Sequence, residues 1–64
     1  MTDRIARMRT EYKELLSKLD ELEGFICSDA FDLIAPLAQF LLYNQVSAMK
    51  MYADTLKIRI DLEY

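Results

Sequence analysis

Residues 5–26 of the chain read IARMRTEYKELLSKLDELEGFI, and the spacing of their apolar side chains decides the fold. These side chains follow one another at intervals of three and four residues, which places them on one side of an α-helix. The members of this row are Ile5, Met8, Tyr12, Leu15, Leu19, Leu22 and Ile26. The row predicts a first helix over about residues 3–23, ended by Gly24 because glycine accepts the left-handed conformation that closes many helices.

A second row of apolar residues starts beside Pro36, a residue that suits the first turn of a helix because it has no amide hydrogen to offer. Its members lie three or four residues apart and are Ala35, Ala38, Leu42, Val46, Met49, Ala53, Leu56 and Ile60. The row predicts a second helix over about residues 36–61. Two amphipathic helices with a short connection predict an all-α helical hairpin, in a single domain over residues 1–64.

The connection, residues 24–35, reads GFICSDAFDLIA and is more apolar than a surface loop usually is. Its large apolar residues are Phe25, Ile26, Phe31, Leu33 and Ile34. We expect these side chains to pack under or between the two helices. Ser28 followed by Asp29 is a helix-start signal, so the connection is predicted to contain one short helical turn over about residues 28–34.

The predicted second helix has further apolar residues on the side opposite its first row. They are Leu37, Phe40, Met51, Ile58 and Leu62, flanked by Leu41, Ala48 and Tyr52. One partner helix covers one stripe of another helix and not both sides, so we expect other copies of the chain to supply the missing cover. The alternative is a monomeric hairpin with scattered exposed apolar residues, which small proteins tolerate.

The 64-residue chain has 11 acidic and 8 basic residues, a net charge of −3, one cysteine and no histidine. A lone cysteine forms no disulfide within the chain and, without histidine, no Cys/His zinc site. The absence of histidine also removes the commonest general base. We therefore expect a binding or interaction module without a metal or cofactor, and not an enzyme.

The acidic balance argues against a protein that coats DNA or RNA, because such proteins carry a basic surface. No run of residues reaches the roughly 18 apolar positions of a membrane span, so we expect no membrane partner. The unpaired cysteine fits a reducing cytosol.

Three arginines near the start of the chain, Arg4, Arg7 and Arg9, come within six positions of one another. They are either solvated side chains or, in a symmetric oligomer, groups that converge from neighbouring subunits on an anion. Tyr12 is either a core aromatic residue or a platform on which a nucleobase stacks.

Arg59 allows a structural and a functional interpretation, whereas Cys27 allows a structural one at this point. Arg59 is either an extended side chain paired with an acidic neighbour such as Asp54 or Glu63, or a phosphate ligand whose planar fork meets two oxygens at once. Cys27, with no basic neighbour in sequence, is expected to be a small buried apolar residue.

The frame of these positions resembles a family of very small crAss-phage-related proteins, which includes the anti-CBASS sponge proteins. The frame consists of an early Arg, Glu11-Tyr12, Leu15, Leu19, Leu22, Phe25-Ile26, Ser28, Phe31, Leu33, Gln45, Met49, Tyr52, Leu56, Arg59 and Ile60. The resemblance implies a helical protein that assembles into compact hexamers in the host cytoplasm. It implies binding of cyclic dinucleotides between protomers and, in some members, of cyclic trinucleotides in separate pockets, without cleavage of either.

The resemblance also implies roles for individual residues. Tyr12 matches the aromatic residue that stacks on a base, Arg59 matches a basic residue used for the trinucleotide, and the phosphate-holding loop corresponds to Cys27, Ser28 and Asp29. This chain departs from the family because its connection contains no lysine and two aspartates. Either an N-terminal arginine or the backbone amides after Ser28 take over the phosphate, or the ligand preference differs, or this chain binds no dinucleotide.

The sequence thus favours a sponge that sequesters cyclic oligonucleotide messengers of the CBASS type. A second hypothesis is a helical oligomeric adaptor or inhibitor that docks on a host or phage protein through the spare apolar face of the second helix. A third is a purely structural virion or accessory protein.

Overall fold

The protein is a rod of two antiparallel helices, seen in a computed structural model that describes residues 2–63. Helix α1 spans Thr2–Ile26, a 3₁₀ turn spans Asp29–Leu33, and helix α2 spans Pro36–Leu62. The rod measures 47 × 15 × 13 Å. The predicted all-α helical hairpin, with a short helical turn in its connection, is confirmed.

The core lies along the contact between the two helices, where the two predicted apolar rows meet. Its buried members are Met8, Leu15 and Leu19 from α1 and Val46, Ala53, Leu56 and Ile60 from α2. Leu56 is fully buried, with none of its surface exposed. Burying a side chain of this size contributes about 2 kcal/mol, so the contact between the rows is what holds the hairpin together.

Helix α1 continues past Gly24, so the prediction that glycine ends the helix is wrong. Gly24 has no positive φ, and the amide of Cys27 still donates to the carbonyl oxygen of Glu23, 3.1 Å away. The helix ends instead at Ile26, where the Ser28 hydroxyl donates to the carbonyl oxygen of Phe25 at 2.6 Å. The backbone amide of Ser28 donates to the same Phe25 oxygen at 3.0 Å, so the backbone and the side chain of Ser28 together close the end of the helix.

The connection is anchored by one buried aromatic side chain. Phe31 is buried, and its ring makes edge-to-face contacts with Phe25 and Tyr43 at centroid distances of 6.1 and 5.5 Å. The Gln39 side-chain amide, from the first turns of α2, donates to the carbonyl oxygens of Phe31 at 2.9 Å and Ile34 at 3.4 Å. These contacts fix the 3₁₀ turn against α2.

The expectation that the connection tucks its apolar residues inward holds for Phe31 and fails for Phe25 and Leu33, which are 37% and 86% exposed. Ser28 takes the position before the 3₁₀ turn, but its side chain makes no hydrogen bond to the turn that follows. It is used to close α1 instead. A turn of five residues has room to bury one large side chain against two helices, and Phe31 occupies that room.

The side of α2 that faces away from α1 is apolar and uncovered. Leu37, Phe40, Met51, Ile58 and Leu62 are between 58% and 77% exposed. We call this surface the outer face of α2. No helix in the described part of the chain combines the length and apolarity needed to cross a membrane.

Candidate functional site

Two grooves run along the hairpin, one on each flank of the contact between the helices. The first, the Tyr12 groove, has a volume of about 340 Å³ and is lined by Tyr12, Leu16, Lys50 and Asp54, among others. The second, the Tyr52 groove, has a volume of about 700 Å³ and includes Arg7, Lys18 and Tyr52. Both volumes fall in or near the range of small-molecule sites.

Tyr12 lies at the boundary between the core and the Tyr12 groove. Its side chain is half-buried and packs against the core, between the buried residues around Leu15 and Ala53 and those around Met8 and Leu56. It also lines the groove. The aromatic ring is therefore held in place by the core while part of it remains accessible. A fixed ring at a groove wall loses little conformational freedom when a flat ligand stacks on it.

The charge of the Tyr12 groove is unfavourable for an anion within one copy of the chain. Three carboxylates line it, from Asp20, Glu23 and Asp54, against the single ammonium of Lys50. That ammonium already pairs with Glu23 at 2.9 Å. Because like charges repel in a partly desolvated groove, a phosphate here needs cations from outside this hairpin.

The three N-terminal arginines are not brought together around Tyr12. Arg4 pairs with Glu63 near the end of α2, and Arg7 lines the Tyr52 groove, where its Nε donates to the carbonyl oxygen of Asp3 at 3.4 Å. Arg9 is exposed, lies three residues before Tyr12 on α1, and makes no hydrogen bond or ion pair among residues 3–63. Of the three, Arg9 is the one free to meet a ligand near Tyr12.

The residues of the connection lie far from Tyr12. Between Tyr12 and Ile26 the chain is one continuous helix, so the two ends of this stretch are about 21 Å apart at 1.5 Å per residue. Cys27, Ser28 and Asp29 follow Ile26 at the far end of the rod. No small ligand reaches Tyr12 and these three residues in the same copy.

Cys27 is exposed, so the expectation of a buried apolar residue is wrong. Cys27 directly follows the last residue of α1, at the tip of the hairpin. The chain leaves the contact between the helices there, so neither helix covers this side chain. The cysteine and acidic side chains of the described residues form no group of three or more that could hold a metal ion.

Arg59 lies in the last turn of α2 and is exposed. Its predicted ion-pair partner Glu63 is taken by Arg4 instead, and Arg59 makes no ion pair among residues 3–63. A cation in the last turn is favourably placed against the carbonyl end of the helix. Arg59 is therefore available to a ligand or to a neighbouring molecule.

Two groove residues escaped the sequence interpretation, Lys50 in the Tyr12 groove and Lys18 in the Tyr52 groove. Each is a charged residue on a helix, and the residues next to it in the sequence do not indicate that it lies in a groove. Their positions follow from the register in which α1 and α2 pack. The Lys50–Glu23 pair joins the two helices toward the 3₁₀ turn, and the Arg4–Glu63 pair joins them at the other end of the rod.

A very small helical hairpin with an uncovered apolar face and an aromatic residue in each flanking groove is suited to binding. Comparison with known proteins gives the family. Residues 2–62 match the family model of Sequestin, and the chain belongs to this family. The family name denotes sequestration rather than catalysis, and the resemblance to a family of small phage sponge proteins is confirmed.

A relative of the chain comes from a bacterial virus. The chain is 38% identical over 55 residues to a 7.5 kDa protein from the denB–rIIB intergenic region of Enterobacteria phage T4. The match covers 86% of each of the two proteins, so the two share nearly their whole length. No solved structure matches the chain.

Proposed function

We propose that the protein sequesters a cyclic oligonucleotide messenger of the CBASS type in the cytoplasm of the infected host, and that it binds the messenger between copies of the chain without cleaving it. The observation that carries this proposal is the Tyr12 ring, which the core holds in place while the groove leaves it accessible. Membership in a family named for sequestration supports the same conclusion.

Binding between copies follows from two features of a single hairpin. The Tyr12 groove is lined by three carboxylates and one ammonium, which disfavours phosphate. Tyr12 is also about 21 Å along α1 from the connection, which includes Cys27 and Ser28. A second copy, placed beside the first, brings its own arginines or its own connection to the phosphates of a base that stacks on Tyr12.

The cations available for this purpose are exposed arginines. Arg9 lies near Tyr12 and has no ion-pair partner among residues 3–63. Arg59, at the end of α2, likewise has no ion-pair partner among these residues. The planar guanidinium meets two phosphate oxygens at once, which makes either residue a suitable ligand. Arg4 and Arg7 join them once a phosphate displaces the Glu63 and Asp3 contacts.

The experiment compares Tyr12→Ala with Tyr12→Phe by calorimetry and thermal shift, using cyclic di- and trinucleotides as probes. Phenylalanine keeps the π-face that stacks on a base, whereas alanine removes it. We expect the wild type and Tyr12→Phe to bind and Tyr12→Ala to lose at least tenfold in affinity. Equal binding by all three proteins would remove Tyr12 from the site.

Ligand at 100 times its dissociation constant stabilises a protein by about 2.7 kcal/mol. For a chain of this size that corresponds to a rise in Tm of roughly 10 °C or more. The bound nucleotide is then recovered from the denatured complex and examined by mass spectrometry. Intact nucleotide supports sequestration, and a hydrolysed product contradicts it.

A second candidate function is an adaptor or inhibitor that docks on a host or phage protein. The exposed apolar side chains on the outer face of α2 favour it, because such a stripe fits a groove or helix of a partner. The two functions differ in the nucleotide experiment, since an adaptor gives no thermal shift with any cyclic nucleotide.

A further inference from the structure

The rod differs in charge on the two sides of Tyr12. Towards the connection, the Tyr12 groove is lined by the carboxylates of Asp20 and Glu23. Towards the other end, where the start of α1 meets the end of α2, lie all the arginines of the chain. They are Arg4, Arg7, Arg9 and Arg59. Tyr12 therefore stands between an acidic groove and an end of the rod that carries the arginines.

Asp54 is the groove carboxylate that lies level with Tyr12. The Tyr12 side chain packs against the core cluster that contains Ala53 and against the one that contains Leu56, and Asp54 lies between these two residues in α2. Asp20 is eight residues, or about 12 Å, further along α1 than Tyr12. A flat group that stacks on Tyr12 therefore meets the Asp54 carboxylate before the other carboxylates of the groove.

The Asp54 carboxylate is exposed and makes no hydrogen bond or ion pair among residues 3–63. Both lysines that lie one turn away from it on α2 pair with other carboxylates. Lys50 pairs with Glu23 at 2.9 Å, and Lys57 pairs with Asp61 at 3.4 Å. An ionised carboxylate only accepts hydrogen bonds, so both Asp54 oxygens are available to N–H groups of a ligand.

The four nucleobases differ in what they offer to a carboxylate. The Watson–Crick edge of guanine carries two neighbouring donors, N1–H and N2–H, at the spacing of two carboxylate oxygens. On the same edge adenine places the N1 lone pair beside its amino group, cytosine places the N3 lone pair beside its amino group, and uracil places two carbonyl oxygens beside N3–H. A carboxylate meets an acceptor in these three bases, so it favours guanine.

We propose that Asp54 determines the base specificity of the Tyr12 groove, and that the groove selects a cyclic nucleotide that contains guanine. The guanine ring stacks on Tyr12, and its N1–H and N2–H groups donate to the two oxygens of Asp54. The phosphates extend away from the groove carboxylates, towards Arg9 and the end of the rod that carries the arginines. The inference rests on the proposed function, because it requires a cyclic nucleotide to stack on Tyr12.

This orientation explains how an acidic groove accepts part of an anionic ligand. A guanine nucleotide has N–H donors at one end and a negatively charged phosphate at the other. The carboxylates of the groove attract the donors and repel the phosphate, whereas the arginines attract the phosphate. The charge on the two sides of Tyr12 therefore matches the nucleotide in one orientation only.

The base specificity is tested by calorimetry with cyclic di-GMP and cyclic di-AMP, which share the same sugar–phosphate ring and differ in their bases. We expect the wild type to bind cyclic di-GMP tighter by about tenfold or more. Asp54→Asn replaces one accepting oxygen by a donating amide, so it should reduce this ratio to threefold or less. The control Asp32→Asn makes the same change of charge at an exposed position of the 3₁₀ turn and should keep the wild-type ratio.

A second measurement uses the wild type alone and does not depend on the folding of a variant. Cyclic di-IMP carries hypoxanthine, which keeps the N1–H donor of guanine and lacks its N2 amino group. We expect its affinity to lie between those of cyclic di-GMP and cyclic di-AMP, because one of the two hydrogen bonds to Asp54 is lost. Equal binding of cyclic di-IMP and cyclic di-GMP would mean that N2–H meets no acceptor, and it would overturn the proposal.

The outcomes separate this inference from the proposed function. If the wild type binds cyclic di-AMP or cyclic tri-AMP as tightly as cyclic di-GMP, or if Asp54→Asn keeps the wild-type ratio, sequestration stands and the assignment of Asp54 is wrong. If no cyclic di- or trinucleotide binds, the proposed function fails and the inference fails with it.

Discussion

The two long sides of α2 have apolar rows of similar spacing, but they differ in cover. On the side facing α1, Val46, Ala53 and Leu56 are buried, whereas on the outer face Met51 and Ile58 stand in solvent. Spacing decides which residues share a side of a helix. Which side is covered depends on how many helices are available to pack against it, and residues 2–63 form one other long helix.

The largest expected effect is on the covered side. Leu56→Ala removes a side chain with no exposed surface and leaves a cavity, so it should lower the free energy of unfolding by about 4 kcal/mol. That is most of the stability of a small domain, so the variant should be largely unfolded at 37 °C. Urea denaturation followed by circular dichroism measures the loss.

The comparison with the outer face is made with Leu62→Ala, which removes the same group from a position that is 77% exposed. Its effect should be small, because most of this side chain already lies in solvent. A cost that grows with protein concentration would show that copies of the chain cover the outer face. If Leu62→Ala lowered the free energy of unfolding as much as Leu56→Ala at every concentration, the conclusion that only one side of α2 is covered would be wrong.

A smaller effect is expected at the end of the rod where the connection crosses α2. Gln39→Ala removes the amide that donates to the carbonyl oxygens of Phe31 and Ile34, and should cost about 1 kcal/mol. Gln39→Glu has nearly the same shape but cannot donate those hydrogen bonds, so it should cost at least as much. A stability equal to that of the wild type in both variants would mean that the amide does not hold the 3₁₀ turn.

The smallest effect is expected at the exposed ion pair between Lys50 and Glu23. Both side chains are about half exposed, so Lys50→Met should change the free energy of unfolding by well under 1 kcal/mol, and even less at high salt. Thermal melts at low and high ionic strength provide the measurement. A loss above 2 kcal/mol would show that the pair is far better shielded from solvent than its exposure indicates.

The sequence was sufficient to predict the hairpin and its core, because burial follows helical spacing when two amphipathic helices pack. It was insufficient at the connection. The left-handed tendency of Gly24 competes with continued helical hydrogen bonding from Cys27 to Glu23, and the hydrogen bonding prevails. The exposure of Cys27 and Leu33 depends on the path of the chain between the helices, which no local pattern encodes.

The candidate site was predictable only in part. Tyr12 was marked by its position in the first apolar row, and the structure places it at the wall of a groove as well as against the core. The neighbours of Tyr12 across the groove, Lys50 and Asp54, depend on the register of α1 against α2. Register is a property of the packed helices, so the charge of the groove could not be obtained from the sequence.

The pairing of Arg4 with Glu63 brings both ends of the described chain to one end of the rod. A circular permutant that joins these two ends through a short linker and opens the chain within the connection should therefore keep the hairpin.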